Sequence, residues 1–151
     1  HGLDKKIIPV PTLDGLAYNL CESDSLVVPI MDARRNQVYS AIYSNVNGLE
    51  RISDYMACDI RELLDMVIET DENAVFLGDG VPVFKERITE FNPGFKFAPQ
   101  CANMQRAACI GALALERTEE AIAPSDFEII YLRKSQAERE LEEKNANRND
   151  E

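Results

Sequence analysis

The stretch from residue 26 to 43, LVVPIMDARRNQVYSAIY, constrains the fold more than any other part of the chain. Its first half is an apolar run broken only by Pro29, the pattern of a strand covered on both faces. Asp32 stands at the end of that run, Ala33-Arg34-Arg35-Asn36 turns the chain, and an alternating strand returns. In the return, Val38, Ser40 and Ile42 share one face while Tyr39, Ala41 and Tyr43 share the other. A carboxylate and two arginines at a tight turn between such strands have the chemistry of a phosphate-gripping hairpin, or of the relic of one.

Periodicity orders the remaining elements. Residues 6–10 are expected as a short strand, and Thr12 as the cap of a helix turning Leu13, Leu16, Ala17 and Leu20 inward. Strands follow at 26–33 and 37–44, and Asn47-Gly48 is a hairpin signal leading to a third at 49–56. Asp59 with Glu62 reads as a capping box, with Asp in the Ser/Thr position, opening a helix with Ile60, Leu63, Leu64, Val67 and Ile68 at core spacing. A buried strand is expected at 74–77, then Gly78-Asp79-Gly80, then a helix with Pro82 in its first turn and Phe84, Ile88 and Phe91 inward. Residues 95–98 read as a brief strand, and Asn103 as the cap of a last helix reaching about residue 120. That helix carries a stripe of mostly small residues, Met104, Ala107, Ala108, Gly111, Ala112 and Leu115. Apolar helix stripes usually face the core, so tight internal packing is expected, with a partner-facing surface as the alternative. Three antiparallel strands followed by alternating helices and strands make an α/β fold with a mixed sheet.

Composition suits one domain. A chain of 151 residues buries about 70% of its unfolded surface. No apolar run approaches the ~20 residues of a membrane span. A net charge of −11 argues against a surface that grips nucleic acid directly, since phosphate contacts call for a positive patch. Cys21, Cys58, Cys101 and Cys109 form no CxxC pair, so neither a zinc site nor a redox dithiol is indicated, and each is expected as a small buried hydrophobe in a reducing cytosol.

The chemical candidates are few. His1 is the only histidine and no GxSxG is present, which disfavours serine or cysteine hydrolysis and leaves no catalytic residue to name. No histidine and carboxylate cluster has metal-ligand spacing. Two features survive: Asp32 and Arg34 at the first hairpin, and Gly78, Asp79 and Gly80 after a buried strand. Glycines there let backbone approach a ligand, and the following helix offers amide hydrogens to an anion. Equally, Gly-Asp-Gly between strand and helix is common turn chemistry, Asp32 can bond turn amides, and Arg34 can bridge a neighbouring carboxylate.

Four blocks in order and spacing, IIPVPTLDGLAYNL, VVPIMDARRNQVYSAIY, VFLGDG and IIYLRKSQAERE, resemble the second half of the TsaB (YeaZ) family. That family is the non-catalytic scaffold of bacterial machinery making threonylcarbamoyladenosine in transfer RNA. The resemblance implies the actin and sugar-kinase type of fold, in which two ribonuclease-H-like lobes are related by duplication. This chain looks like the second lobe only, residues 1–132, with a leading strand and helix in 1–24 and a charged tail at 133–151. The first lobe, which holds the helices that pair with the catalytic homologue TsaD, is then absent. The resemblance further implies TsaD and the ATPase TsaE as partners, a cytoplasmic location and no cofactor, although a nucleotide can sit near the contacts between subunits. It also sets Asp32, Arg34 and Gly78–Gly80 where actin-like folds place a phosphate hairpin and an adenosine loop. A homodimer stays open. The rival reading is a nucleotide-dependent enzyme of the kinase or peptidase-like relatives, retaining a site at those residues.

Overall fold

In the computed structural model, which describes residues 5–70 and 73–132, the apolar run becomes the central strand β1 (Leu26–Asp32). It turns into β2 (Gln37–Ser40) and β3 (Tyr43–Ser44), which hold one register against β1: Ile30 lies opposite Ser40 and Val27 opposite Tyr43. The expected single return strand is therefore split in two. The split has a cause in Pro29, which falls opposite Ala41 and has no N–H for the ladder; its carbonyl accepts instead from the Ser40 hydroxyl at 2.8 Å.

The next strand is split as well, into β4 (Glu50–Arg51) and β5 (Met56–Asp59), rather than running through 49–56. Tyr43 faces Arg51 and Ser40 faces Met56, so two extra residues bulge from the outer strand. The bulge is fastened to Ile42, whose carbonyl accepts from the Ile52 amide at 2.8 Å and whose amide donates to the Ser53 hydroxyl at 2.9 Å. Gly48, at φ +97°, supplies the turn conformation that the Asn-Gly signal foretold.

Beyond the hairpins the chain crosses through α2 (Ile60–Glu69) to β6 (Ala74–Leu77), parallel to β1, and through α3 (Val81–Phe91) to β7 (Lys96–Phe97), parallel to β6. The result is one open mixed sheet, in which β1 sits between antiparallel hairpin strands on one side and parallel strands on the other. The Asp59 carboxylate caps α2 by accepting from the Arg61 amide at 2.9 Å, a bond worth about 1 kcal/mol.

Strand alternation divides the core. Leu26, Val28, Ile30, Val38, Ile42 and Phe76 face α2 and α3, which contribute Leu63, Leu64, Val67, Phe84 and Ile88. Val27, Ala41, Tyr43 and Leu77 face the other way, under Leu13 and Ala17 of α1 (Thr12–Ala17). Ile68, expected inward, sits on the exposed flank of α2.

Four further expectations fail. Residues 6–10 make no strand; Ile7 alone pairs, with Ile122, because Pro9 and Pro11 remove donors from an edge that would need them. Thr12 is the first residue of α1 and not its cap, with Pro11 ahead of it. The last helix, α4 (Ala107–Glu116), begins three residues late, with Arg106 in the cap position, because Asn103 is engaged elsewhere, its Oδ1 accepting from the Gly78 amide at 3.2 Å. The small-residue stripe of α4 also faces outward: Met104 is 67% exposed and Leu115 76%. The helix packs on α1 by its opposite side, where Ile110 reaches into the space left by Gly15 and Leu113 is buried. The expected tail at 133–151 lies outside the described residues, among which no helix is long and apolar enough to cross a membrane.

Candidate functional site

The sheet brings all five candidate residues to one edge, at the C-terminal ends of the parallel neighbours β1 and β6. Gln37 closes the hairpin by donating its amide to the Arg34 carbonyl at 3.0 Å. Arg34, Arg35 and Asn36 all have positive φ, at 66°, 52° and 64°. Left-handed backbone costs a non-glycine residue roughly 1–2 kcal/mol. Tertiary bonds hold it here: the Asn36 carbonyl accepts from the Ile60 amide at 3.0 Å and its side-chain oxygen from Arg87 at 2.9 Å.

Asp32 is directed into this turn. One carboxylate oxygen accepts from the Arg34 amide at 2.8 Å, and the other lies 3.7 Å from the Arg34 guanidinium, which is itself 88% exposed. The Asp32 amide donates to the Asp79 carboxylate at 3.3 Å, so the Asp79 side chain reaches across to the end of β1.

The glycines answer to close backbone approach. Gly78 has φ +111°, and a Cβ there would stand 2.2 Å from the Ile30 carbonyl oxygen. The Gly80 amide donates to that same oxygen at 3.1 Å. At the start of α3 the Val81 amide donates to the Gly78 carbonyl and the Val83 amide to Gly80, while Pro82 has none to give. The helix end thus offers few unengaged donors to an anion. Arg34, paired with Asp32, and Arg35 beside it are the exposed cations of this turn.

A second constellation, absent from the sequence reading, lies under α1. Asp14 is 3% exposed. One of its oxygens accepts from the Tyr43 hydroxyl at 2.7 Å and the Tyr55 hydroxyl at 2.6 Å, and the other from Arg117 at 2.8 Å. Burial first, and then the bond to Asp14, push both phenols above their ordinary range. Desolvation works against the Arg117 charge, but the bond and the charge of Asp14 outweigh it and leave the guanidinium raised. Nearby, the Tyr18 hydroxyl bonds Glu116, and that bond is the main cause lifting the phenol to about 12. Of the cysteines, Cys58 is buried, which pushes its thiol up to about 11; Cys101 is exposed, contrary to expectation, and Cys21 and Cys109 are half-buried.

Both constellations are made of residues that brace backbone and helix ends, on an open mixed α/β sheet. The family described as "TsaD: tRNA N6-adenosine threonylcarbamoyltransferase" matches residues 1–147, and the chain belongs to that family. Among curated proteins, the tRNA threonylcarbamoyladenosine biosynthesis protein TsaB of Bacillus subtilis (strain 168) is 37% identical over 90 residues. That match takes in 59% of this chain and 39% of the relative, so the chain spans about two fifths of the protein it resembles. The likeness to TsaB read from four sequence blocks is thereby shown.

Proposed function

We propose that the chain is the second lobe of a TsaB-like scaffold, a non-catalytic part of the cytoplasmic machinery that makes threonylcarbamoyladenosine in transfer RNA. The strand order supports a ribonuclease-H-like lobe of the actin-like superfamily: an antiparallel meander beside β1, then β6 and β7 parallel to it. The name of the Bacillus subtilis relative supports the pathway. The observation that carries the scaffold reading is the bond from Asp32 to the Arg34 amide. It turns the one carboxylate at the hairpin inward, onto its own turn, and makes it a bracing group. Residues 1–132 form the lobe, and TsaD and TsaE are its partners, met mainly through surfaces of a first lobe. Net charge of −11 leaves capture of transfer RNA to those partners.

The test is a reconstituted modification reaction of TsaC, TsaD and TsaE with transfer RNA, supplied either with full-length TsaB or with this chain. The expected yield of threonylcarbamoyladenosine with this chain is under about a tenth of that with TsaB, since the surfaces that meet TsaD and TsaE lie mainly in a first lobe. Comparable yield would show that the productive contacts reside in this lobe.

A further inference from the structure

The face of the sheet opposite α2 and α3 is covered by α1 over only part of its width. Beside α1 lies a groove of about 540 Å³, floored by Leu13, Met31, Tyr39 and Tyr55 and walled by residues 127–132. The volume falls within the range of recognition sites, and the floor is apolar and aromatic.

Three independent properties of the groove define what fits it. The wall enters in extended conformation at Phe127, belongs to no helix or strand, and its amides and carbonyls, among the described residues, form no backbone hydrogen bond. The wall also leaves Ile129, Ile130 and Tyr131 largely exposed, so its apolar side chains are not satisfied by the body of the lobe. Finally, among the described residues two carboxylates, Glu120 and Glu128, line the groove, and no lysine or arginine does. Of the described arginines, Arg51 lies over the Tyr55 ring at 4.1 Å and Arg117 is engaged on Asp14.

From this we infer that the groove is a docking site for an extended, basic and apolar peptide segment of a protein partner. The peptide adds as a strand to the unpaired edge at 127–132, which gives main-chain hydrogen bonds. Its apolar side chains enter over Tyr39, Tyr55 and Met31, and its lysines or arginines meet Glu120 and Glu128. A helix would leave the unpaired backbone of the wall unanswered, and an acidic segment would set like charges together. The inference stands apart from the scaffold reading and does not depend on it.

The test is fluorescence anisotropy of the whole chain with a fluorescein-labelled peptide of alternating leucine and lysine. Peptides with serine for leucine, or glutamate for lysine, serve for comparison. Saturable binding of the leucine–lysine peptide is expected, with each comparison peptide weaker by at least about tenfold. Glu120→Lys with Glu128→Lys should weaken binding by a similar factor, while Glu69→Lys with Glu86→Lys, the same change of charge on α2 and α3, should leave it unaltered. No saturable change, or equal weakening by both double variants, overturns the proposal, the latter by reducing it to net charge. Sedimentation closes the other route: a dimer that excludes the peptide assigns the groove to a second copy of the chain and contradicts the inference.

Discussion

Asp14→Ala is expected to lower folding stability by roughly 3–5 kcal/mol, the range for removing one partner of a buried charge pair. The carboxylate is buried and is the sole acceptor joining Tyr43, Tyr55 and Arg117. Without it, a guanidinium and two phenols lose their common partner at a point where α1, the sheet and the end of α4 converge. Tyr43→Phe and Tyr55→Phe each remove a single bond, and about 1 kcal/mol is expected for each. The cluster also predicts a pH dependence. The folded phenols titrate above the ordinary value, so their contribution is fully present below about pH 10, where unfolded tyrosine begins to ionise, and is lost as pH rises further. Urea melts of wild type and Tyr43→Phe, compared at neutral pH and above pH 10, should converge. A loss below about 1 kcal/mol for Asp14→Ala, which is what a surface change gives, would place the residue outside the core.

Gly78→Ala is expected to be comparably severe, at ~2–5 kcal/mol, from left-handed strain added to overpacking. The obstacle is the Ile30 carbonyl, 2.2 Å from the new Cβ, which is backbone and cannot swing aside. Gly80 lacks the positive φ, and its Cβ would meet the same oxygen at 3.0 Å, so Gly80→Ala should cost less. Gly111 has nothing within 4 Å and lies inside α4, where alanine should stabilise by roughly 0.5–1 kcal/mol. Thermal melts should therefore rank the variants Gly111→Ala, Gly80→Ala, Gly78→Ala from most to least stable. A Gly78→Ala chain melting with wild type would remove the packing explanation for the Gly-Asp-Gly turn and reopen a ligand explanation.

What the sequence made legible was short in range. The hairpin at 26–43, the Asn-Gly turn, the Asp59 cap and the α2 core face each depend on residues within a few positions of one another. The strand at 74–77 was legible from its apolar run bounded by turn residues. The Asp14 cluster was not, because its partners lie 29, 41 and 103 residues away and an aspartate in a first turn ordinarily faces water. Helical periodicity showed that α4 has an apolar stripe, but it could not tell which side the rest of the chain would cover. The choice went to the side of Ile110, for which Gly15 opens space. Asn103 looked like a cap from local spacing and proved to be a tether for Gly78, a contact across 25 residues. The five candidate residues were correctly read as neighbours of strand ends. The bond that Asp32 accepts from the Arg34 amide is local and was legible as turn chemistry; the bond from the Asp32 amide to Asp79 came only with the parallel pairing of β1 and β6.

Isothermal titration of the chain with magnesium-ATP addresses the scaffold reading most directly. If Asp32, Asp79 and the two glycines brace the strand ends and Arg34 merely caps the hairpin, no heat beyond dilution should appear. Micromolar binding, about −8 kcal/mol, that disappears in a folded Asp32→Asn variant would contradict that account and assign this edge to a nucleotide site.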